Sequence, residues 1–67
     1  MIIDLAHVYK KFMHENNYDI NRINDIIFEH WVTYRNEKFP KSKYIYSEPR
    51  KINGKYNDYN ILKERND

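Results

Sequence analysis

The sequence contains no cysteine and only one glycine among its 67 residues. The absence of cysteine excludes a disulfide framework and any metal site built from thiolates. One glycine is too few for the glycine-rich loops that cradle phosphate in nucleotide-binding proteins. A chain of this length forms one small domain, and it buries only about 60% of the surface that its unfolded form exposes. Its stability therefore has to come from aromatic side chains or from a partner that completes the core.

Long hydrophobic runs are missing as well. No segment approaches the roughly 20 apolar residues that a membrane-spanning helix requires. The first residues, MIIDLAHVYKK, include Asp4 and His7 within their apolar part and lack a basic leader, so they do not resemble a signal peptide. We therefore expect a cytoplasmic protein that does not contact a membrane.

Aromatic residues and cations are what the sequence has instead. Seven tyrosines, three phenylalanines and one tryptophan provide large contact areas, and the tyrosines also carry a polar tip. The net charge of +2 is unevenly distributed. Residues 1–37 hold four cations and six acids, which gives −2, whereas residues 38–56 hold six cations and one acid, which gives +5. The second block is the stretch best suited to contact phosphates or an acidic protein surface.

The first 37 residues carry the periodicity of two helices. Asp4 is a suitable N-cap for a helix of about residues 4–15, which the asparagines at 16 and 17 end. A second helix of about residues 20–37 ends before Pro40. Its apolar stripe contains Ile20, Ile23, Ile27, Trp31 and Tyr34. Phe28 and Val32 flank that stripe and widen the apolar face beyond what one neighbouring helix covers.

The basic block predicts a β-hairpin. Residues 43–47 alternate like a strand, and Asn53-Gly54 is typical of a type I′ turn. We expect strands at about 43–47 and 50–57, with a tyrosine face that covers Trp31. Asp58 could cap a short C-terminal helix, and residues 64–67 are expected to fray. The predicted fold is a single small α+β domain in which a two-helix hairpin packs against a β-hairpin; a helix-turn-helix with a wing is the alternative.

The sequence shows neither the pattern of a catalytic site nor that of a metal site. His7, His14 and His30 lack the i, i+4 spacing of a zinc-binding pair, so we predict no metal and no cofactor. No base is positioned beside the cations of the basic block, so we predict no catalytic residue and no enzymatic activity.

A non-enzymatic binding module is the preferred function. In its shortness and composition the chain resembles small accessory proteins of phages and mobile elements, viral proteins that take over a host by inhibiting or redirecting a larger host protein machine, often one that acts on nucleic acid. The residues predicted to bind such a partner are Phe28, Val32, Tyr44, Tyr46, Arg50, Lys51, Lys55 and Tyr56.

Nucleic-acid binding of the winged helix-turn-helix type is the alternative function. Its predicted phosphate contacts are Arg22, Arg35, Lys41, Lys43, Lys51 and Lys55. Asp25 and Glu29 on the exposed strip of the second helix would repel phosphate, which favours the protein-binding hypothesis. A homo-oligomer that completes its own core is a further alternative.

Overall fold

The computed structural model describes residues 2–66, apart from the side chains of Arg50 and Ile52. Two helices and five strands confirm a small α+β fold. The elements in chain order are β1 (Ile2–Asp4), α1 (Leu5–Glu15), a 3-10 turn (Ile20–Arg22), α2 (Asp25–Lys38), β2 (Tyr44–Ile45), β3 (Arg50–Ile52), β4 (Lys55–Asn57) and β5 (Ile61–Glu64).

The first helix agrees with its sequence signals, whereas the second begins later than predicted. Asp4 caps α1 by accepting a hydrogen bond from the Ala6 N–H at 3.0 Å. Asn24 caps α2 in the same way, accepting from the Ile27 N–H at 2.9 Å. The prediction of a helix from residue 20 was wrong because Asn24 interrupts the apolar pattern and starts a new helix there. Ile20 consequently lies in the separate 3-10 turn and is 41% exposed.

A three-stranded antiparallel sheet joins the two ends of the described chain. Its order is β1-β5-β2, with Ile3 opposite Leu62 and Ile45 opposite Lys63. The predicted C-terminal helix is therefore replaced by a strand, and β1 was not expected. Along β5, Leu62 is fully buried while its two neighbours, Ile61 and Lys63, are exposed, which is the alternation expected of a strand with one face on the core.

The turn at Asn53-Gly54 is confirmed, but its partner strands differ from the prediction. Both residues have positive φ (51° and 76°), as a type I′ turn requires. The turn joins β3 to β4 as a separate two-stranded ribbon. The segment predicted at 43–47 forms the two-residue strand β2, and it pairs with β5 instead of with the ribbon.

The core is mostly aromatic and lies between the helices and the sheet. It contains Leu5, Tyr9, Phe12, Met13, Trp31, Phe39 and Leu62. Trp31 packs against Tyr9 and Phe12 of α1, with ring centroids 5.3 and 5.4 Å away. The prediction that hairpin tyrosines cover Trp31 was wrong, since α1 covers it. Among the hairpin tyrosines, Tyr56 instead stacks on Phe28 at 4.7 Å.

A buried arginine connects three parts of the fold. Arg35 has no solvent exposure, and its Nη1 donates to Asp58 Oδ2 at 3.2 Å and to the Ser47 carbonyl at 3.3 Å. Its Nη2 donates to Glu48 Oε2 at 3.1 Å. The indole Nε1 of Trp31 donates to the same Asp58 oxygen at 2.9 Å. The Arg35–Asp58 pair thus fixes α2 against the β2–β3 and β4–β5 connections.

Candidate functional site

The outer face of the three-stranded sheet carries three exposed isoleucines. The register places Ile2, Lys63 and Ile45 in one row across β1, β5 and β2. Ile61 lies two residues from Lys63 along β5 and therefore on the same face. Ile2 is 70% exposed, Ile45 51% and Ile61 47%. We call these three residues together with Lys63 the isoleucine face.

The opposite face of the same sheet packs on the core. Leu62 is buried there, and Ile3 is partly buried opposite it. An antiparallel sheet with one face on the core usually has polar residues on its solvent face. Here each of the three strands places one isoleucine on that outer face, beside the charged residues Lys63 and Asp4. Three exposed isoleucines grouped on one face differ from the singly scattered apolar residues that are normal on a protein surface, and this makes the face a candidate interaction site.

Cations occupy the centre of the isoleucine face and one of its edges. Lys63 stands between Ile2 and Ile45, and no ion pair involves it among the side chains that the structure describes. One row further, the backbone N–H of Arg65 donates to the Lys43 carbonyl at 2.9 Å, so the two residues are neighbours at this edge. The Arg65 Nε donates to the Lys41 carbonyl at 2.6 Å. Asp4 is the acidic residue at the far corner, where its carboxylate caps α1. The face as a whole is apolar and positively charged.

The residues predicted to bind a protein partner are dispersed, and most of them serve the fold. Phe28 and Tyr56 stack on each other, and Val32 is half-buried against the core. The ring of Tyr44 contacts Phe39 at 5.6 Å.

Tyr46 is also engaged within the chain. Its ring covers the Arg35 guanidinium at 4.7 Å, and its hydroxyl donates to the Phe39 carbonyl. Lys51 and Lys55 are exposed on the ribbon, with Lys51 Nζ 4.8 Å from the Tyr56 ring centre. The Arg50 side chain lies outside the described part.

The cations predicted to contact nucleic acid do not form one surface. Arg35 is fully buried beside Asp58, which contradicts its predicted contact with phosphate. Arg22 lies 3.7 Å from Asp19 in the 3-10 turn. Lys41 forms an ion pair with Glu48, and Lys43 lies at the edge of the isoleucine face.

The second helix is a poor candidate for a recognition helix. Its exposed residues include Asp25, Glu29 and Glu37, whose charges would repel phosphate. Residues 16–24, which contain the 3-10 turn, separate it from α1, whereas a helix-turn-helix pair is joined by a tight turn. These features disfavour the winged helix-turn-helix alternative.

Sequence reasoning missed the isoleucine face, although a signal for it was present. Two adjacent apolar residues occur in the edge strand β1, Ile2-Ile3, and in the central strand β5, Ile61-Leu62. In a strand, adjacent residues point to opposite faces, so such pairs make both faces apolar. The sequence pattern predicts a short C-terminal helix at Ile61-Leu62 and assigns no element to Ile2-Ile3, so neither pair is recognised as part of a strand.

Perturbed acid–base groups occur in and around the core. Burial raises the pKa of Tyr9 to about 12, and the Asp58 carboxylate adds to that shift. Burial also raises the pKa of Tyr46. The hydrogen bond from Lys41 lowers the pKa of Glu48. Tyr9 and Tyr46 both hydrogen-bond to backbone carbonyls, which is consistent with a structural role.

Residues 2–66 contain neither a metal-binding cluster nor a membrane-crossing helix. No cluster of three or more His, Cys, Asp or Glu side chains in that range could hold a metal ion. Neither helix of the described chain has the length and apolar character that a membrane crossing requires. Comparison with protein-family models, with curated proteins and with solved structures finds no match to the chain.

Proposed function

We propose that the chain is a non-enzymatic binding module that attaches to a larger protein through the isoleucine face. The observation that supports this proposal is the exposure of Ile2, Ile45 and Ile61 on one face of the sheet. Burying the exposed part of each side chain would contribute on the order of 1 kcal/mol to binding. A cluster of this kind is suited to be the dry centre of an interface.

The charge of the face indicates the chemistry of the partner. The aliphatic stem of Lys63 can extend the apolar surface, while its ammonium group requires a carboxylate or water. Lys43 and Arg65 add two cations at the adjoining edge. The partner surface that complements this face is therefore apolar and carries at least one carboxylate near its centre.

A second copy of the chain fits this face less well. A twofold axis through the centre of the patch would bring each Lys63 against its copy, and like charges in contact are unfavourable. The area is also small. Three strands spaced about 4.8 Å apart, with about three residues each, cover on the order of 150 Å², whereas a stable interface buries about 800 Å² per partner. The partner must extend beyond the sheet, which favours a larger protein.

We further propose that attachment inhibits or redirects this larger protein, as the accessory proteins do that the chain resembles in shortness and composition. A small module that attaches by one face can block or recruit without any chemistry of its own. The exposed Lys51 and Lys55 on the ribbon support nucleic-acid binding as the second candidate. The two candidates place their contacts on different surfaces, so one experiment distinguishes them.

The test places a photo-crosslinking amino acid at position 45 or 61, and for comparison at position 10 or 55. Crosslinking is carried out in lysate of the source cells, with and without nuclease. We expect a nuclease-resistant protein crosslink from positions 45 and 61 and none from position 10. Crosslinks that come only from position 55 and disappear with nuclease would support the second candidate. A crosslink to a second copy of the chain would contradict the proposal.

The decisive measurement is affinity for the captured partner after purification. Ile45→Asp should abolish binding while circular dichroism and unfolding remain unchanged, because the side chain is at an exposed edge strand. Lys63→Glu should weaken binding more than Lys10→Glu, which makes the same charge change on α1. The difference should shrink as salt is added, since salt screens exposed charges. Equal effects of the two lysine variants would refute the role of Lys63.

A further inference from the structure

A groove lies between α1 and α2 and shares no residue with the isoleucine face. Its volume is about 220 Å³. Its lining consists of His7, Val8, Lys11, Phe12, Glu15, Tyr34 and Lys38. The floor is rigid, because the Phe12 ring stacks on Tyr34 at 4.7 Å and Phe12 is almost fully buried.

The polar groups of this groove are mainly hydrogen-bond donors. Lys38 Nζ lies 3.1 Å from the Tyr34 hydroxyl and donates to its oxygen. The hydroxyl hydrogen of Tyr34 then points elsewhere, and it has no acceptor among the described residues. An ammonium group has three donors and no acceptor, so Lys38 and Lys11 both have hydrogens left for a ligand. His7, one turn before Lys11, can supply one more N–H.

Glu15 is the acidic residue of the lining. It lies 3.9 Å from Lys11 on the same helix, and both side chains are mostly exposed. An exposed pair at this distance is weak, so Lys11 can exchange it for a better acceptor. Lys11 and Lys38 against Glu15 leave the groove with a net charge of +1 before His7 is counted.

We propose that this groove binds a phosphate group. Side chains that can only donate hydrogen bonds are best satisfied by a ligand that only accepts them, and a phosphate offers more acceptor oxygens than a carboxylate. The volume of about 220 Å³ accommodates a phosphate group together with part of the molecule that carries it. The groups that hold it are Lys11, Lys38 and the Tyr34 hydroxyl, from two helices whose spacing the Phe12–Tyr34 stack fixes.

The same phosphate chemistry can come from a small phosphate monoester or from a nucleic-acid backbone. The test is an NMR titration of the full chain at constant ionic strength with inorganic phosphate, then with a nucleoside monophosphate and with a short single-stranded RNA. We expect saturable shifts at the amides of residues 11, 34 and 38. Tighter binding of the monophosphate assigns a small ligand, whereas tighter binding of the RNA assigns a nucleic-acid backbone.

Matched variants determine whether the groove or the general charge is responsible. Lys11→Gln with Lys38→Gln should weaken phosphate binding roughly tenfold or more, because two charge-assisted hydrogen bonds are lost. Lys10→Gln with Lys55→Gln removes the same charge outside the groove and should change binding by less than about twofold. Tyr34→Phe keeps the ring stack and should weaken binding without unfolding the chain. Equal loss in both double variants, or shifts that do not saturate, would overturn the proposal.

Discussion

Replacing Asp58 by asparagine tests the buried network, and we expect it to remove much of the stability of the domain. The carboxylate accepts hydrogen bonds from Arg35 and Trp31, and both side chains of the Arg35–Asp58 pair are fully buried. Breaking a buried pair by removing one charge costs about 3–5 kcal/mol, and the lower end applies here because Arg35 keeps the exposed Glu48 as a second counter-charge. A domain of this size has a total stability of about 3–10 kcal/mol.

Asparagine is the informative substitution because it keeps the shape and one acceptor oxygen. We therefore expect a loss of about 3 kcal/mol for Asp58→Asn and a larger loss for Asp58→Ala, which also strands the indole N–H of Trp31. Urea unfolding followed by fluorescence measures this directly, since Trp31 is the sole tryptophan and lies in the network. Asp19→Asn makes the same change at an exposed cap and should cost less than about 0.5 kcal/mol.

A double-mutant cycle with Arg35→Met separates the pair from its surroundings. If the two charges depend on each other, the double variant is more stable than the sum of the single losses predicts, by about 2 kcal/mol or more. A loss below about 1 kcal/mol for Asp58→Asn, or strictly additive losses, would refute the role assigned to the pair.

Three further predictions concern single sites. The raised pKa of Tyr9 means that folding favours its neutral form, so stability should be intact below pH 10 and fall by about 2.7 kcal/mol between pH 10 and pH 12; Tyr9→Phe should lack this component in alkaline unfolding, and an identical profile would contradict it. Gly54→Ala should lower the free energy of unfolding by about 1 kcal/mol, because alanine is strained at the φ of 76° that Gly54 adopts. A new Cβ there meets no atom within 4 Å, so backbone strain is the only expected cost, and an unchanged melting temperature would exclude it. Asn24→Ala should cost about 1 kcal/mol while Asn24→Asp stays near neutral, because only the former removes the cap of α2; equal losses in urea unfolding would show that the cap does not matter.

Local signals in the sequence predicted the helices and the turn. Asp4, Asn53 and Gly54 act through their own side chain or backbone, so their roles can be identified without knowing the fold. The predicted start of α2 was wrong because the apolar residues of 20–27 follow one helical spacing without a visible break. The side chain of Asn24 caps a helix that begins at residue 25, and this cap divides the apolar residues between two elements.

The sheet and the buried pair depend on contacts between distant residues. Ile3 meets Leu62, and Arg35 meets Asp58, only after the chain has folded back on itself. Arginine is usually exposed, and nothing near Arg35 in the sequence reveals that an aspartate 23 residues later neutralises it. The isoleucine face was missed for the same reason, since its three isoleucines come from three separate strands.

The pairing of β1 with β5 has a consequence for when the docking surface can exist during synthesis. Ile2 and Lys63 are adjacent in space but about 60 residues apart along the chain, so their contact closes almost the whole described length. Such a closure has the highest entropic cost of any contact in the fold and forms late. A growing chain can assemble α1 and α2 first, but it cannot present the isoleucine face before residues 61–64 have emerged from the ribosome. Any partner that recognises this face therefore distinguishes chains that already include β5 from chains that stop before it.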